Sequence, residues 1–321
     1  MKNGSFIISL DFELFWGLRD LKNANDYKES IIGAKKVIPR IIELFNKYDV
    51  KATFAIVGFL LCNSKEDIYR YSPLKKPSYK DKDLSSYEDD YIDNLSMNDY
   101  DLHFASDIVE HLKSQPNIEI GTHTFCHYYC TAEGQTIDEF EDDLKSAISI
   151  ANDHGICLLS IVFPRNEVSD EYIKVCAKYN IKNYRGNPKK YFNNKSFVNK
   201  IMRFWDTYFN LNNQTTYNYN ETKQGGMYNI KASRFLRPYS KRFSFMENLK
   251  IKRIKNEMEN AAVNNQVYHL WWHPHNFGIN IDKNLSLLEE ILLHYTFLKK
   301  KYRMNSFTMN ELAEKLRENG E

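Results

Sequence analysis

At 321 residues the chain is long enough to bury a large core, and a single α/β barrel fits this length as well as two ordinary domains do. Hydrophobic residues make up 42% and charged residues 27%, and a formal net charge of +2 excludes a global field drawing the protein onto nucleic acid or a membrane. The 22 Tyr, 20 Phe and 4 Trp suit a sugar-binding cleft, where aromatic rings stack on pyranose faces, and equally suit a core.

In chain order, the apolar run Ser5 to Leu10 reads as a buried strand ending at Asp11, followed by aromatic and polar loop material through Asn25. The run is too short for a secretory h-region and has no small-residue cleavage site. Five scattered cysteines (Cys62, Cys126, Cys130, Cys157, Cys176) argue against a disulfide framework, so a reducing, cytoplasmic location is expected. No stretch approaches the roughly 20 apolar residues of a membrane helix. Ile31 to Tyr48 shows the recurrence of an amphipathic helix despite Pro39, and Lys51 to Gly58 follows as a strand, giving a β-α-β unit. Residues 62–103 are dominated by Ser, Asp, Lys and Tyr without sustained periodicity, which predicts an inserted, lid-like excursion.

Regularity then resumes. A helix over 104–114 precedes the strand 118–121, a helix over 136–152 precedes Leu158 to Phe163, and a helix over 169–179 precedes Ile181 to Tyr184. This alternation predicts a parallel sheet or barrel. An Asn- and Tyr-rich stretch at 190–245 reads as an irregular insertion; a basic helix over 246–262 then leads into the strand Val267 to Trp272 and a helix over 284–301. The chain is therefore expected to be one catalytic domain over 1–321 with two insertions.

Asp11 and Glu13, His123 and His127, Pro164-Arg165-Asn166, and His273 with His275 each fall at or just beyond the carboxyl end of a predicted strand. In parallel α/β architectures that edge is where active sites are built. His123 and His127 stand four residues apart, so one helical turn or a tight loop brings both to one cation. Imidazole suits zinc and related metals, and a catalytic site takes three protein ligands with an open position. Asp11-Phe12-Glu13 offers two carboxylates on one side of an extended chain, one to bind metal and one to act as base. Cys126 and Cys130 flank His127, but no second Cys or His pair completes a zinc cluster, so they read as packing residues.

Ser9-Leu10-Asp11-Phe12-Glu13, Ala52-Thr53-Phe54, Glu119 through His127, Phe163-Pro164-Arg165-Asn166 and Leu270-Trp271-Trp272-His273 resemble, in order, the motifs of the NodB-like polysaccharide deacetylases. The segment E-I-G-T-H-T-x-x-H carries the most specific part of the likeness. The resemblance implies a distorted (β/α) barrel of the NodB-homology, glycoside hydrolase-deacetylase type, with one divalent metal ion, zinc by expectation, at its rim. It implies Asp11 as general base, Glu13, His123 and His127 as metal ligands, His273 as general acid and Arg165 as the residue holding Asp11. The opening departs from the family's two adjacent aspartates, as in the divergent branch that includes deacetylases and cyclic-amide hydrolases. The third motif departs from the family's Arg-x-Pro-Tyr, and only Trp205-Asp206 stands near the aspartate-tryptophan motif.

Trp271 and Trp272 alternate along a strand, so one enters the core and the other floors a sugar site. His275, after Pro274, is open between a substrate-side residue, an alternative acid and a turn residue, and His269 alternates toward the core. The segment Ser233 to Tyr239 and the helix with Lys250, Lys252, Arg253 and Lys255 read as a solvated face, with phosphate or peripheral membrane contact as the rarer alternative. The expected activity is deacetylation of an N-acetylated amino sugar, free or linked to a nucleotide or lipid carrier, in the making of a surface glycan. The rivals are hydrolysis of a small cyclic amide on the same fold and a non-catalytic carbohydrate-binding barrel.

Overall fold

Strand β1 (Ser5–Phe12) is buried at every position, which requires cover on both of its faces. Phe6, Ile8, Leu10 and Phe12 enter the larger hydrophobic cluster, formed with the surrounding helices. Ile7 joins a smaller cluster with Ala55, Val162, Ile230, Val267 and Met309. The two-residue period of a strand therefore turns Ser9 and Asp11 to the same inner side as Ile7. A computed structural model describes residues 1–21, 24–187, 197–209, 211, 215–224 and 226–320.

β1 lies at the centre of a parallel sheet. It pairs with β2 (Ala52–Ile56) along its second half, with β9 (Val267–Trp272) on the opposite edge, and with β10 (Asn305–Phe307) along its first half. Beyond β2 follow β3 (Ile118–Thr122), β4 (Ser160–Ile161), β5 (Asn183–Tyr184), β7 (Met227–Asn229) and the antiparallel β6 (Lys223–Gln224); β8 (Arg234–Phe235) flanks β9. β7 lies on β5 and β8 lies on β9, and the residues between them bond to both sides: Ala232 N donates to Gly186 O and Ser233 N to His269 O. The run 227–235 thus joins the two edges of the sheet into the expected distorted (β/α) barrel.

Helices α1 (Lys28–Tyr48), α4 (Ser106–Lys113), α5 (Ile137–Asp153), α6 (Asp170–Lys178), α8 (Glu247–Val263) and α9 (Ile281–Tyr302) occupy the positions expected from sequence, and Pro39 does not end α1. α1 stops at Asp49, which takes the left-handed conformation. Its Gly33 lies against the turn that follows β9: a Cβ there would stand 2.1 Å from Gly278 O, so a glycine is what lets the helix support that turn.

Residues 62–103 carry α2 (Lys65–Tyr71) and α3 (Tyr100–His103), and they bury Ile68, Tyr79, Ile92 and Leu102 in the core. Within 190–245, residues 190–196, 210, 212–214 and 225 lie outside the described residues, while the remainder holds α7 (Phe197–Trp205) and β6 to β8. The carboxyl-terminal β10 and α10 (Met309–Glu318) were not expected. α10 closes the floor of the barrel: Met309 N donates to Thr53 Oγ1 at 2.9 Å, Asn310 N donates to Glu119 Oε2 at 3.1 Å, and Met309, Leu312 and Leu316 fill the inner cluster.

Candidate active site at the strand ends

Glu13 follows β1 directly, and the turn Leu14–Gly17 folds back over its carboxylate. A Cβ at Gly17 would lie 2.2 Å from Glu13 Cδ, so glycine is needed for this closure. On the neighbouring side His123 follows β3 and opens a tight loop rather than a helical turn, with Thr124 and His127 at φ 66° and 61°. Asp143 of α5 fixes that loop by accepting from Phe125 N at 2.8 Å and Cys126 N at 3.0 Å. Burial pushes the Asp143 carboxyl up to about 6 despite these bonds.

The loop and the strand end meet. Glu13 Oε2 lies 3.3 Å from His123 Nε2 and 3.2 Å from His127 Nε2, with all three side chains buried. His123 Nδ1–H donates to Val162 O at 2.7 Å, which turns its Nε2 toward the carboxylate. Burial lowers the His127 pKa against the pull of Glu13. Burial opposes ionisation of Glu13, but the imidazoles of His273, His123 and His127 outweigh it and hold the carboxyl well below its ordinary value. Two imidazole nitrogens and a carboxylate oxygen brought to one point in a dry site are the donor set of a catalytic zinc-type centre. The residues therefore fit a divalent cation.

Asp11 is held by a different arginine from the one expected. Arg185, fully buried just past β5, grips both Asp11 oxygens at 2.6 Å. All five of its N–H groups are used: two go to Asp11, one to Ser9 Oγ at 3.0 Å, and two to Asn166 Oδ1 at 2.8 and 3.1 Å. Burial raises the Asp11 carboxyl, but Arg185, with the imidazoles of His123 and His273, brings it below its ordinary value. Arg165 instead pairs with Asp20 and lies 4.0 Å over the Tyr129 ring. The reason is local: Arg165 and Asn166 both take left-handed backbone conformations after Pro164, which sends the Asn166 amide to Arg185 while the Arg165 side chain stays near half exposed. Arg185 also satisfies the rule that singled out the other rim residues, a polar side chain just beyond a strand, here Ile181 to Tyr184.

His273 completes the group. Its Nε2 lies 3.7 Å from Asp11 Oδ2 and 3.6 Å from Glu13 Oε1, and its side chain keeps 23% of its surface in solvent. Trp271 faces this side, packed beneath the Arg185 guanidinium at 4.1 Å and 5.6 Å from the His273 ring. Trp272 does not reach the site: it points outward into the core between Phe45 and Phe277, so it is no substrate contact. His275 is buried behind His273 with the rings 5.0 Å apart, and burial drops its pKa to about 3, which makes it a neutral support rather than an acid. His269 is the satisfied inner histidine that its position suggested, donating from Nδ1 to Ile230 O at 3.0 Å and accepting from Ser9 Oγ at Nε2, 2.8 Å away.

A barrel of parallel strands with a carboxylate–imidazole–imidazole cluster and a second, arginine-bound carboxylate on its rim defines the NodB type of distorted (β/α) barrel. Residues 29–184, just under half of the chain, match the family model described as polysaccharide deacetylase. No protein of curated function matches the sequence. Among solved structures, a putative polysaccharide deacetylase from Mycobacterium smegmatis superposes with a TM-score of 0.60 at 11% identity, covering 100% of this chain and 92% of that one. The Puue allantoinase gives 0.56 at 9% over 97% and 89%. A GH57-type branching enzyme from the hyperthermophilic archaeon Pyrococcus horikoshii gives 0.55 at 11% over 98% and 70%. At these identities the likeness is one of fold.

Proposed function

We propose that the protein is a metal-dependent hydrolase that removes the N-acetyl group from an amino sugar. The convergence of Glu13 Oε2 on the Nε2 atoms of both His123 and His127 carries this reading, because a carboxylate and two imidazoles within reach of one point are the ligand set of a catalytic divalent cation. A divalent ion held there, zinc by its ligand set, would polarise the amide carbonyl and acidify water. Asp11, kept ionised and aimed by Arg185, accepts the proton of the attacking water. As the C–N bond breaks, His273 supplies a proton to the departing amine, and acetate and the free amino sugar leave. Trp271 offers the apolar wall against which a pyranose ring rests.

Five cysteines, all free in the structure, support action in a reducing compartment, on a precursor of a surface glycan rather than on finished polymer. Acetate release from free, nucleotide-linked and lipid-linked acetamido sugars tests the activity. Release from at least one of them is expected. Ring opening of cyclic ureides without acetate release from any acetamido sugar would replace this reading with hydrolysis of a cyclic amide, the activity named for the allantoinase of the same fold.

A further inference from the structure

Helix α7 turns the wrong side to solvent for an ordinary surface helix. Val198, Ile201 and Trp205, with Phe209 one turn further on, recur at spacings of three and four and form one stripe, and each is exposed, from 41% at Ile201 and Trp205 to 66% at Val198. The helical bonding continues past the helix end, with Phe209 N donating to Trp205 O. The flanks of the stripe are what packs: the Phe204 ring lies 5.0 Å from Phe243, and Asp206 pairs with Arg253 of α8 at 3.0 Å. In the turn leading into α8, Phe245 is 78% exposed, and Leu249, one helical turn later at 42%, lines the same cleft as Phe209.

The charges around this apolar face are sorted by sign. Its acids are drawn inward: Asp206 and Glu257 to Arg234 and Arg253, and Glu247 to Lys250. These pairs bury Lys250 and Arg253, so the basic helix face expected from sequence is half internal. What remains outside is cationic: Lys241, Arg242 and Lys252 are exposed and make no ion pair among the described residues. The face also lies at the site end of the barrel, since the chain reaches Lys241 directly from β8, whose Phe235 ring packs against Trp271 at 4.8 Å and His273 at 6.0 Å.

We propose that α7 and the turn before α8 form an interfacial face that adsorbs to an anionic lipid bilayer. Tryptophan and phenylalanine suit the boundary between headgroups and acyl chains, and a rim of lysine and arginine complements anionic headgroups. Adsorption through this face holds the site end of the barrel close to the bilayer, where a lipid-carried substrate is presented. The binding itself stands whether or not the enzyme deacetylates a sugar.

The test is flotation of the full chain with phosphatidylcholine vesicles, with and without phosphatidylglycerol, together with tryptophan emission. Binding is expected only with phosphatidylglycerol and is expected to weaken with salt. A blue shift should accompany it, and Trp205→Phe should lose most of that shift while still floating. The pairs Trp205→Glu with Phe245→Glu, and Lys241→Glu with Arg242→Glu, should each lower vesicle partitioning at least tenfold with circular dichroism unchanged. Failure of the unaltered protein to float, or undiminished flotation of both pairs, overturns the proposal. Concentration-dependent self-association abolished by the apolar pair, without vesicle binding, overturns it in favour of a second copy covering the face.

Discussion

Two carboxylates point into the same barrel, one near each end, and they are handled in opposite ways. Asp11, at the carboxyl rim, meets a guanidinium that grips both of its oxygens, and it stays ionised in spite of burial. Glu119, toward the floor, meets only neutral donors, the hydroxyls of Thr53 and Ser160 and the backbone N–H of Asn310, and burial raises its pKa. At the rim, a full positive charge keeps the buried carboxylate ionised and able to act as a base. On the floor, where burial outweighs the neutral donors, Glu119 is a structural bracket that fastens α10 across the barrel.

Breaking the rim pair should have the largest effect. Arg185→Met leaves the Asp11 carboxylate buried without its partner, and urea unfolding should show a loss of about 3–5 kcal/mol. The double variant Asp11→Asn, Arg185→Met should recover part of that loss, since the stranded charge is gone; equal stability of single and double variants would break the comparison. Asp11→Asn alone should keep bound metal while hydrolysis falls by about 10²–10⁴-fold, and an active variant would assign the base elsewhere. Arg165→Ala tests the corrected assignment: it leaves Asp20, only 5% exposed, without its ion-pair partner, so the cost should be about 1–3 kcal/mol while turnover should remain well above that of Asp11→Asn.

The smallest effect belongs to the floor. The folded-state pKa of Glu119 is raised, so its protonated form stabilises the fold at low pH, and that contribution is lost as pH rises from its ordinary value of 4.5 through the raised one. Glu119→Gln stays neutral and should flatten the dependence of Tm on pH in that window, with about 1 kcal/mol or less of difference at its acid end. An unchanged slope would show that Glu119 does not titrate as its surroundings imply.

Most of the rim was legible in the sequence because each long strand ended in a polar residue that the core had no use for. Asp11, Glu13, His123, His127 and His273 all stand where the strand pattern puts them. Arg185 obeys the same rule but was passed over, since β5 is two residues long and carries little apolar signal before its polar end. Arg165 was favoured by its motif, and no reading of residue types foretells that two left-handed backbone positions deliver Asn166 rather than Arg165 to the site. Strand alternation did say that Trp271 and Trp272 part company, but not which side was the barrel interior. β7 and β8 escaped notice because such short strands are defined by their neighbours, and α10 because its apolar residues fill a floor that exists only once the barrel has closed.

The account rests on one cation shared by Glu13, His123 and His127. Elemental analysis of the purified chain beside His123→Ala measures it most directly. The account predicts about one zinc or other divalent transition-metal ion per chain, lost in the variant while circular dichroism remains that of the unaltered protein. Equal metal content in the two proteins, or a chain that takes up no such ion when it is supplied, would contradict it.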